Sequence, residues 1–207
     1  MRIKRLLDVT AASIGLVLMS PVLLVTWIGV RLSLGPPAIF RQTRVGEGGQ
    51  FFEMVKFRTM SSDIDDQGDL LADEERTGSL GAFLRSTSID ELPELWNVIK
   101  GDMSLVGPRP LLPEYLARYS AQQARRHEVP AGLTGLAQIS GRNELSWAER
   151  FEVDVFYVDN RSLWLDMKIL ATTLLRVLSR ADTGHEGELT SPEFLGDEQL
   201  VAGGGSQ

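Results

Sequence analysis

The longest hydrophobic feature of the chain is residues 9–30, VTAASIGLVLMSPVLLVTWIGV, an apolar run without a charge. As one helix it is roughly 33 Å long, enough to cross a bilayer core. Pro21 cannot donate a backbone hydrogen bond, and its ring crowds the carbonyl of Val17, which predicts a kink. Ser20 beside it can satisfy the freed carbonyl, so the break is tolerable in lipid. Arg2, Lys4 and Arg5 precede the run, and Arg31, Arg41 and Arg44 follow it. The positive-inside rule wants both flanks on the cytoplasmic face. A helix that enters, turns at Ser20-Pro21 and leaves on the same side satisfies both; an ordinary spanning anchor is the alternative that local sequence leaves open. A cleaved signal peptide fits poorly, because Trp27, Ile28 and Val30 do not resemble a small-residue cleavage site.

Beyond the run the pattern changes. IFRQTRVG and QFFEMVKFRTM alternate in part around the turn GEGGQ and predict a strand pair. Residues 61–79 read as an acidic loop with a short helix. LGAFLRS leads into one helix over SIDELPELWNVIKGD, closed by Gly101. SLVGPRPLLPEY is a proline-spaced connection, EYLARYSAQQARRHEV a helix, and GLTGLAQISGRN a glycine-punctuated loop or short strand. LSWAERFEVDVFYVDN predicts a helix capped at Ser146. Residues 163–180 predict an amphipathic helix with Leu163, Met167, Leu170, Leu174 and Val177 in one stripe. Trp147 and Trp164 suit either a membrane interface or ordinary packing. Residues 181–207 are polar and glycine-rich.

Charge sharpens this division. Residues 1–58 hold eight Lys or Arg against three acids, a balance of +5, while the whole chain carries −7, leaving −12 for residues 59–207. A basic membrane-proximal part with an acidic remainder fits an anionic leaflet and does not fit nucleic-acid binding. There is no cysteine, so disulfides, thiolate metal sites and cysteine nucleophiles are excluded. With only His127 and His185, acid-base chemistry rests on carboxylates and phosphate binding on Arg, Lys or a metal.

Four groups of residues carry candidate chemistry. Asp63, Asp65, Gln67, Gly68 and Glu74 approximate a calcium loop, but the preceding FFEMVKFRTM reads as strand where an entering helix is required, so a solvated loop is the better reading. Ser88, Asp90 and Glu91 open a predicted helix. On spacing alone Ser88 and Glu91 read best as a capping box, with Pro93 supporting a helix start. The functional alternative is a carboxylate whose pKa the helix N-terminus lowers, able to serve as nucleophile or metal ligand. Pro108-Arg109-Pro110 presents a guanidinium on a rigid backbone, suited to phosphate or to a salt bridge; Lys56, Arg58 and Arg85 are further phosphate ligands or surface charges. Asp154 and Asp166 sit inside apolar helices, so each needs a basic partner or a divalent cation.

Taken together, RLLDVTAASIGLVLMSPVLL, FRQTRVGEGGQFFEMVKFRTM, LRSTSIDELPELWNVIKGDMSLVGPRPLLPEY, GLTGLAQISGRN and FEVDVFYVDNRSLWLDMKIL resemble the small, catalytic-core form of the monotopic phosphoglycosyl transferases. The resemblance runs in order over roughly residues 1–180. It implies an α/β, mostly helical fold in three parts: a reentrant membrane helix over 1–35 broken at Ser20-Pro21, a small catalytic domain over 36–182 with amphipathic interfacial helices, and a polar tail over 183–207. It also implies a monotopic enzyme on the cytoplasmic face of the bacterial inner membrane. Such an enzyme transfers a sugar 1-phosphate from a UDP-sugar to polyprenyl phosphate. The catalytic dyad maps to Asp90 and Glu91, which also hold Mg2+. Lys56, Arg58, Arg85, Pro108, Arg109, Pro110, Asp154 and Asp166 map to substrate binding. Where many relatives read Arg-Pro-Gly-Ile-Thr-Gly, this chain has Val129-Pro130-Ala131-Gly132-Leu133-Thr134-Gly135 and lacks the arginine. The rival from another class is a non-enzymatic membrane-anchored binding or scaffold protein. Homo-oligomerisation, the sugar and the glycan pathway stay open.

Overall fold

A computed structural model describes residues 2–65, 67–141, 145–179 and 193–196. Residues 142–144 and, apart from 193–196, the polar tail with His185 lie outside the described residues. The fold is mostly helical, with two small two-stranded sheets.

The apolar run forms α1 (Arg2–Ser33), one helix that continues through Pro21. The Ser20 hydroxyl donates to the Val17 carbonyl at 2.8 Å, the carbonyl that proline leaves without its helical donor. It is the one described helix long and apolar enough to cross a membrane, and little of its apolar stretch is buried. Its N-terminal end is fixed to the rest of the molecule by polar bonds. Lys4 pairs with Asp166 at 2.7 Å. Arg5 donates to the carbonyls of Val98 and Ile99 at 2.6 and 2.8 Å, and Asp8 accepts from the Ser104 hydroxyl at 2.8 Å.

The predicted strand pair is an antiparallel hairpin, β1 (Ile39–Val45) and β2 (Phe51–Phe57), turning through Glu47–Gly49. The acidic loop contains the short α2 (Asp73–Arg76), followed by α3 (Ser79–Ser86). The strand β2 enters that loop, and the Asp65 carboxylate accepts from the amides of Gln67 and Asp69, as in a closed turn. Then comes α4 (Glu94–Lys100), ended by Gly101 at φ 103°. Asn97 on α4 is fully buried; it accepts from the Val55 amide and donates to the Glu53 carbonyl, joining α4 to β2.

Three expectations change. The helix expected over 88–100 is two pieces, a 3-10 turn at Ile89–Glu91 and α4. Ser88 adopts a left-handed conformation, φ 54°, and makes no capping bond, so no capping box forms there. The helix expected over 114–129 is three pieces: 3-10 turns at Pro113–Arg118 and Arg125–Glu128 around α5 (Ala121–Ala124). Ser120 and Gln123 form a capping box that starts a new helix where continuation was expected. Third, SLV is strand: β3 (Met103–Val106) pairs in parallel with β4 (Ala131–Thr134). Gly107 and Gly132 let these backbones close, since a Cβ on Gly132 would lie 2.1 Å from the Gly107 nitrogen. The Gly107 amide donates to Thr134, and the Gly132 amide to the Pro108 carbonyl, which fixes the segment carrying Arg109.

After α6 (Leu136–Ile139) come α7 (Trp147–Asn160), capped by Ser146 and Glu149 as expected of Ser146, and α8 (Leu163–Ser179). Most of the apolar stripe of α8 faces outward. Leu163, Met167 and Leu174 are exposed, Trp164 is 78% exposed, while Ile169 and Asp166 are buried. Trp147 instead packs edge-on to Tyr115 and stacks on Phe151, in a cluster that also buries Phe194 of the tail. Separate core clusters join α1 to α4 and β3 (Ala12, Leu95, Val98, Met103) and its C-terminal half to β2 and α3 (Val30, Ala38, Phe57, Leu84).

Candidate active site

A cleft of about 470 Å³ opens between the hairpin, the 88–91 turn, the 108–115 segment and α7. Six basic side chains line it, from Arg44, Lys56, Arg85, Arg109, Arg126 and Arg150, against the three carboxylates of Asp90, Glu91 and Asp154. In a chain of net charge −7 this is a local positive concentration, suited to a polyanion.

The three carboxylates differ in their surroundings. Glu91 takes a 2.6 Å ion pair from Arg109, and this pair holds Arg109 above its ordinary value. Asp154, 3% exposed, pairs with Arg126 at 2.7 Å, and Arg126 also donates to the Arg109 carbonyl. Burial pushes the Asp154 carboxyl up, against the pull of Arg126. Asp90 is 5% exposed, yet it accepts no hydrogen bond and makes no ion pair among the described residues. Burial, then the neighbouring Glu91, pushes its carboxyl up to about 6; Lys56, Arg109 and Arg85 pull the other way from a longer range. The sequence suggested the opposite, a value lowered by a helix N-terminus. The segment is a three-residue 3-10 turn, and burial dominates. At neutral pH a group with that value is mostly ionised although largely withdrawn from water.

The basic residues are tuned as well. Burial and Arg109 lower Lys56, and the same causes bring Arg44 down to about 10. The Arg85 guanidinium donates to the Thr59 hydroxyl at 3.1 Å. Behind the dyad, Glu94 is buried with Oε1 lacking a hydrogen-bond partner among the described residues. Burial and Glu91 push it up to about 8.

The structure thus brings Lys56, Arg85, Asp90, Glu91, Arg109 and Asp154 to one cleft. Pro108 and Pro110 are buried and flank Arg109 on its fixed segment. Four expected substrate residues do not line the cleft: Pro108 and Pro110, which only flank Arg109, and Arg58 and Asp166, which have other partners. Arg58 donates to the carbonyls of Leu34, Gly35 and Pro36, tying β2 to the end of α1. Asp166 takes Lys4 and the Tyr157 hydroxyl, both at 2.7 Å, and so ties α8 to α1 and α7. For both Asp154 and Asp166 the partner is a base, the first of the two options their burial required. Arg44, Glu94, Arg126 and Arg150 were missed. The spacing of Glu94 to the buried Val98, four residues on, was the signal that it faces inward.

Among the described residues no group of three or more His, Cys, Asp or Glu side chains is placed to hold a metal ion. Mg2+ does not require one, because it commonly takes one or two carboxylates, with water and substrate phosphate completing the shell. Asp90 and Glu91 fit that mode.

The family model of the bacterial sugar transferases matches residues 1–180. The chain is 50% identical over 196 residues to the uncharacterized sugar transferase EpsL of Bacillus subtilis, covering 95% of this chain and 97% of that one. It is 42% identical over 186 residues to the UDP-glucose:undecaprenyl-phosphate glucose-1-phosphate transferase of Caulobacter vibrioides, covering 85% and 70%. To the undecaprenyl-phosphate galactose phosphotransferase of Salmonella typhimurium it is 38% identical over 195 residues, covering 86% of this chain but only 41% of that longer one.

Proposed function

The chain belongs to the bacterial sugar transferase family, and from that premise we propose that it transfers a sugar 1-phosphate from a UDP-sugar to polyprenyl (undecaprenyl) phosphate, releasing UMP. This is the first membrane step of a glycan assembly. The observation that carries the reading is Asp90, buried and without a bonded partner among the described residues, beside the Glu91–Arg109 pair and within a ring of basic side chains.

An Asp90 carboxylate oxygen attacks the β-phosphorus of the UDP-sugar. The bond from that phosphorus to the bridging oxygen breaks, and the oxygen leaves with UMP. A phosphate oxygen of the lipid then attacks the phosphorus held on Asp90, and the carboxylate leaves, restoring the enzyme and giving a lipid diphosphosugar. Two displacements let UMP depart before the acceptor arrives. Lys56, Arg85 and Arg109 hold the donor phosphates, and Arg126, fixed by Asp154, supports the Arg109 backbone. Glu91 keeps the Arg109 guanidinium oriented. Asp90 and Glu91 would hold Mg2+, which would supply charge neutralisation for the diphosphate.

The enzyme sits monotopically in the bacterial cytoplasmic membrane with its catalytic domain on the cytoplasmic face. Both ends of α1 contact the same domain, the N-terminal end through Lys4, Arg5 and Asp8, the C-terminal end through Val30. A reentrant helix bending at Ser20-Pro21 reconciles this with the exposed apolar middle of α1. Single cysteines at Ile3 and Ser61 should be labelled from one side of the membrane; opposite-side labelling defeats the topology.

The functional test is UMP release by the detergent-purified chain with undecaprenyl phosphate over a panel of UDP-sugars. At least one donor should release UMP in a reaction stopped by chelator and restored by Mg2+. No release with any donor defeats the enzymatic reading, and full activity with chelator present defeats the metal.

A further inference from the structure

A second cavity shares a wall with the polar cleft. It measures about 240 Å³ and lies between the 88–92 segment, β4, α6 and the C-terminal half of α8. Its character is opposite to that of the cleft. Leu92, Leu105, Leu133, Ile139, Leu170 and Val177 make it apolar. Ser88, Glu91, Arg109 and Gln138 line both spaces, so they form the boundary between them. Gln138 is nine-tenths buried, and its Oε1 has no hydrogen-bond partner among the described residues. A buried amide oxygen without a donor is costly unless a ligand supplies one.

Resting on the function proposed above, we propose that this cavity takes the first isoprene units of the acceptor prenyl phosphate, with its phosphate at the boundary of Ser88, Glu91, Arg109 and Gln138. The chemistry of the two spaces divides the substrates. A nucleoside diphosphate sugar is polyanionic and belongs in the basic cleft, while an isoprenoid needs an apolar channel ending at a cation. Arg109 is that cation, and it stands on both sides. A phosphate at the boundary lies next to the space that Asp90 lines, where the second displacement takes place. The monoester of a phosphate titrates near pH 6, so its protonated form can donate to Gln138 Oε1. At about 240 Å³ the cavity is smaller than the roughly 300–1,000 Å³ of sites that engulf a drug-sized ligand. It holds only the head of a long chain. Val177 lines the cavity on α8 beside the exposed apolar Leu174 and Leu175, the surface along which the remainder would run.

The test uses the full-length protein in nanodiscs and a prenyl phosphate probe carrying a diazirine on its first isoprene unit. Photolysis should label the segments 87–92, 133–139 or 170–177, and unlabelled undecaprenyl phosphate should suppress the labelling. Labelling confined to the apolar groove of Leu23, Trp27 and Trp96 beside α1 overturns the assignment. So does labelling that UDP-sugar suppresses and undecaprenyl phosphate does not, which would make the cavity a donor site. This binding readout needs no turnover, so it fails or holds separately from the UMP assay. In turnover, Val177→Trp should raise the acceptor KM at least about tenfold while leaving the UDP-sugar KM within about twofold. The reverse split assigns the cavity to the donor.

Discussion

Two regions of the molecule bury carboxylates to nearly the same depth and surround them differently. On the Arg126 wall of the cleft, as at the junction of α8 with α1, a base closes the carboxylate: Asp154 is 3% and Asp166 6% exposed, and each is paired at 2.7 Å. In the cleft Asp90 is 5% exposed and has neither hydrogen bond nor ion pair among the described residues. Burial is therefore not what separates structure from chemistry here. A carboxylate locked to a base holds two elements together; the one surrounded by cations at longer range is the one we propose attacks the donor.

The largest expected effect breaks the second arrangement. Asp90→Asn removes the proposed nucleophile while keeping the side-chain shape, so turnover should fall by more than about 10⁴-fold with the thermal unfolding midpoint unchanged. Glu91→Gln should cost about 10²–10⁴-fold, because the neutral amide weakens the hold on Arg109 and on any metal. Near-normal turnover of either variant contradicts the division of roles.

The first arrangement should respond in stability. Asp154→Asn leaves the buried Arg126 without a counter-charge, a loss of about 3–5 kcal/mol measurable by chemical unfolding in detergent. Asp166→Asn should cost less, about 1–3 kcal/mol, since it removes charge-assisted bonds to the part-buried Lys4 and to Tyr157. If Asp166→Asn instead abolished turnover without a stability change, Asp166 would belong with Asp90.

The smallest effect concerns a half-buried titratable group outside the cleft. His127 Nε2 has no partner among the described residues, and burial pulls the ring down to about 4. The unfolded ring titrates near 6.5, so between these values the unfolded state binds more protons. His127 therefore contributes stability in full above about pH 6.5 and loses it as pH falls toward 4. His127→Gln should flatten the stability profile in that window and leave turnover unchanged. A turnover defect would place the ring in the catalytic machinery.

Much of this was legible in the sequence, and the exceptions share a cause. The apolar run as a helix, the hairpin around GEGGQ, the Ser146 cap and the amphipathic helix expected over 163–180 depend on local pattern and turn chemistry; each is present, the last over Leu163–Ser179, while α1 runs on through Pro21 where a break was expected. What failed depends on partners distant in the chain. Ser88 and Glu91 have the spacing of a capping box, but Arg109, 18 residues on, takes Glu91. β3 is a strand only because β4 lies beside it, and the glycines that allow the pairing looked like loop punctuation. Lys4 and Arg5 read as topogenic charge, yet they also bind Asp166 and the end of α4. Of the candidate site, the family resemblance named six of the nine charged residues that line the cleft. The function of Asp154 as the counter-charge of Arg126 was beyond it, because neither spacing nor periodicity reveals a partner 28 residues away.

The most direct test of the distinction is peptide mass spectrometry after incubation with the active UDP-sugar alone. The account predicts about one equivalent of UMP per chain and a phosphosugar adduct on Asp90, within the peptide Ser86–Lys100, absent from Asp90→Asn. An adduct on another residue, or an undiminished adduct in Asp90→Asn, would contradict it.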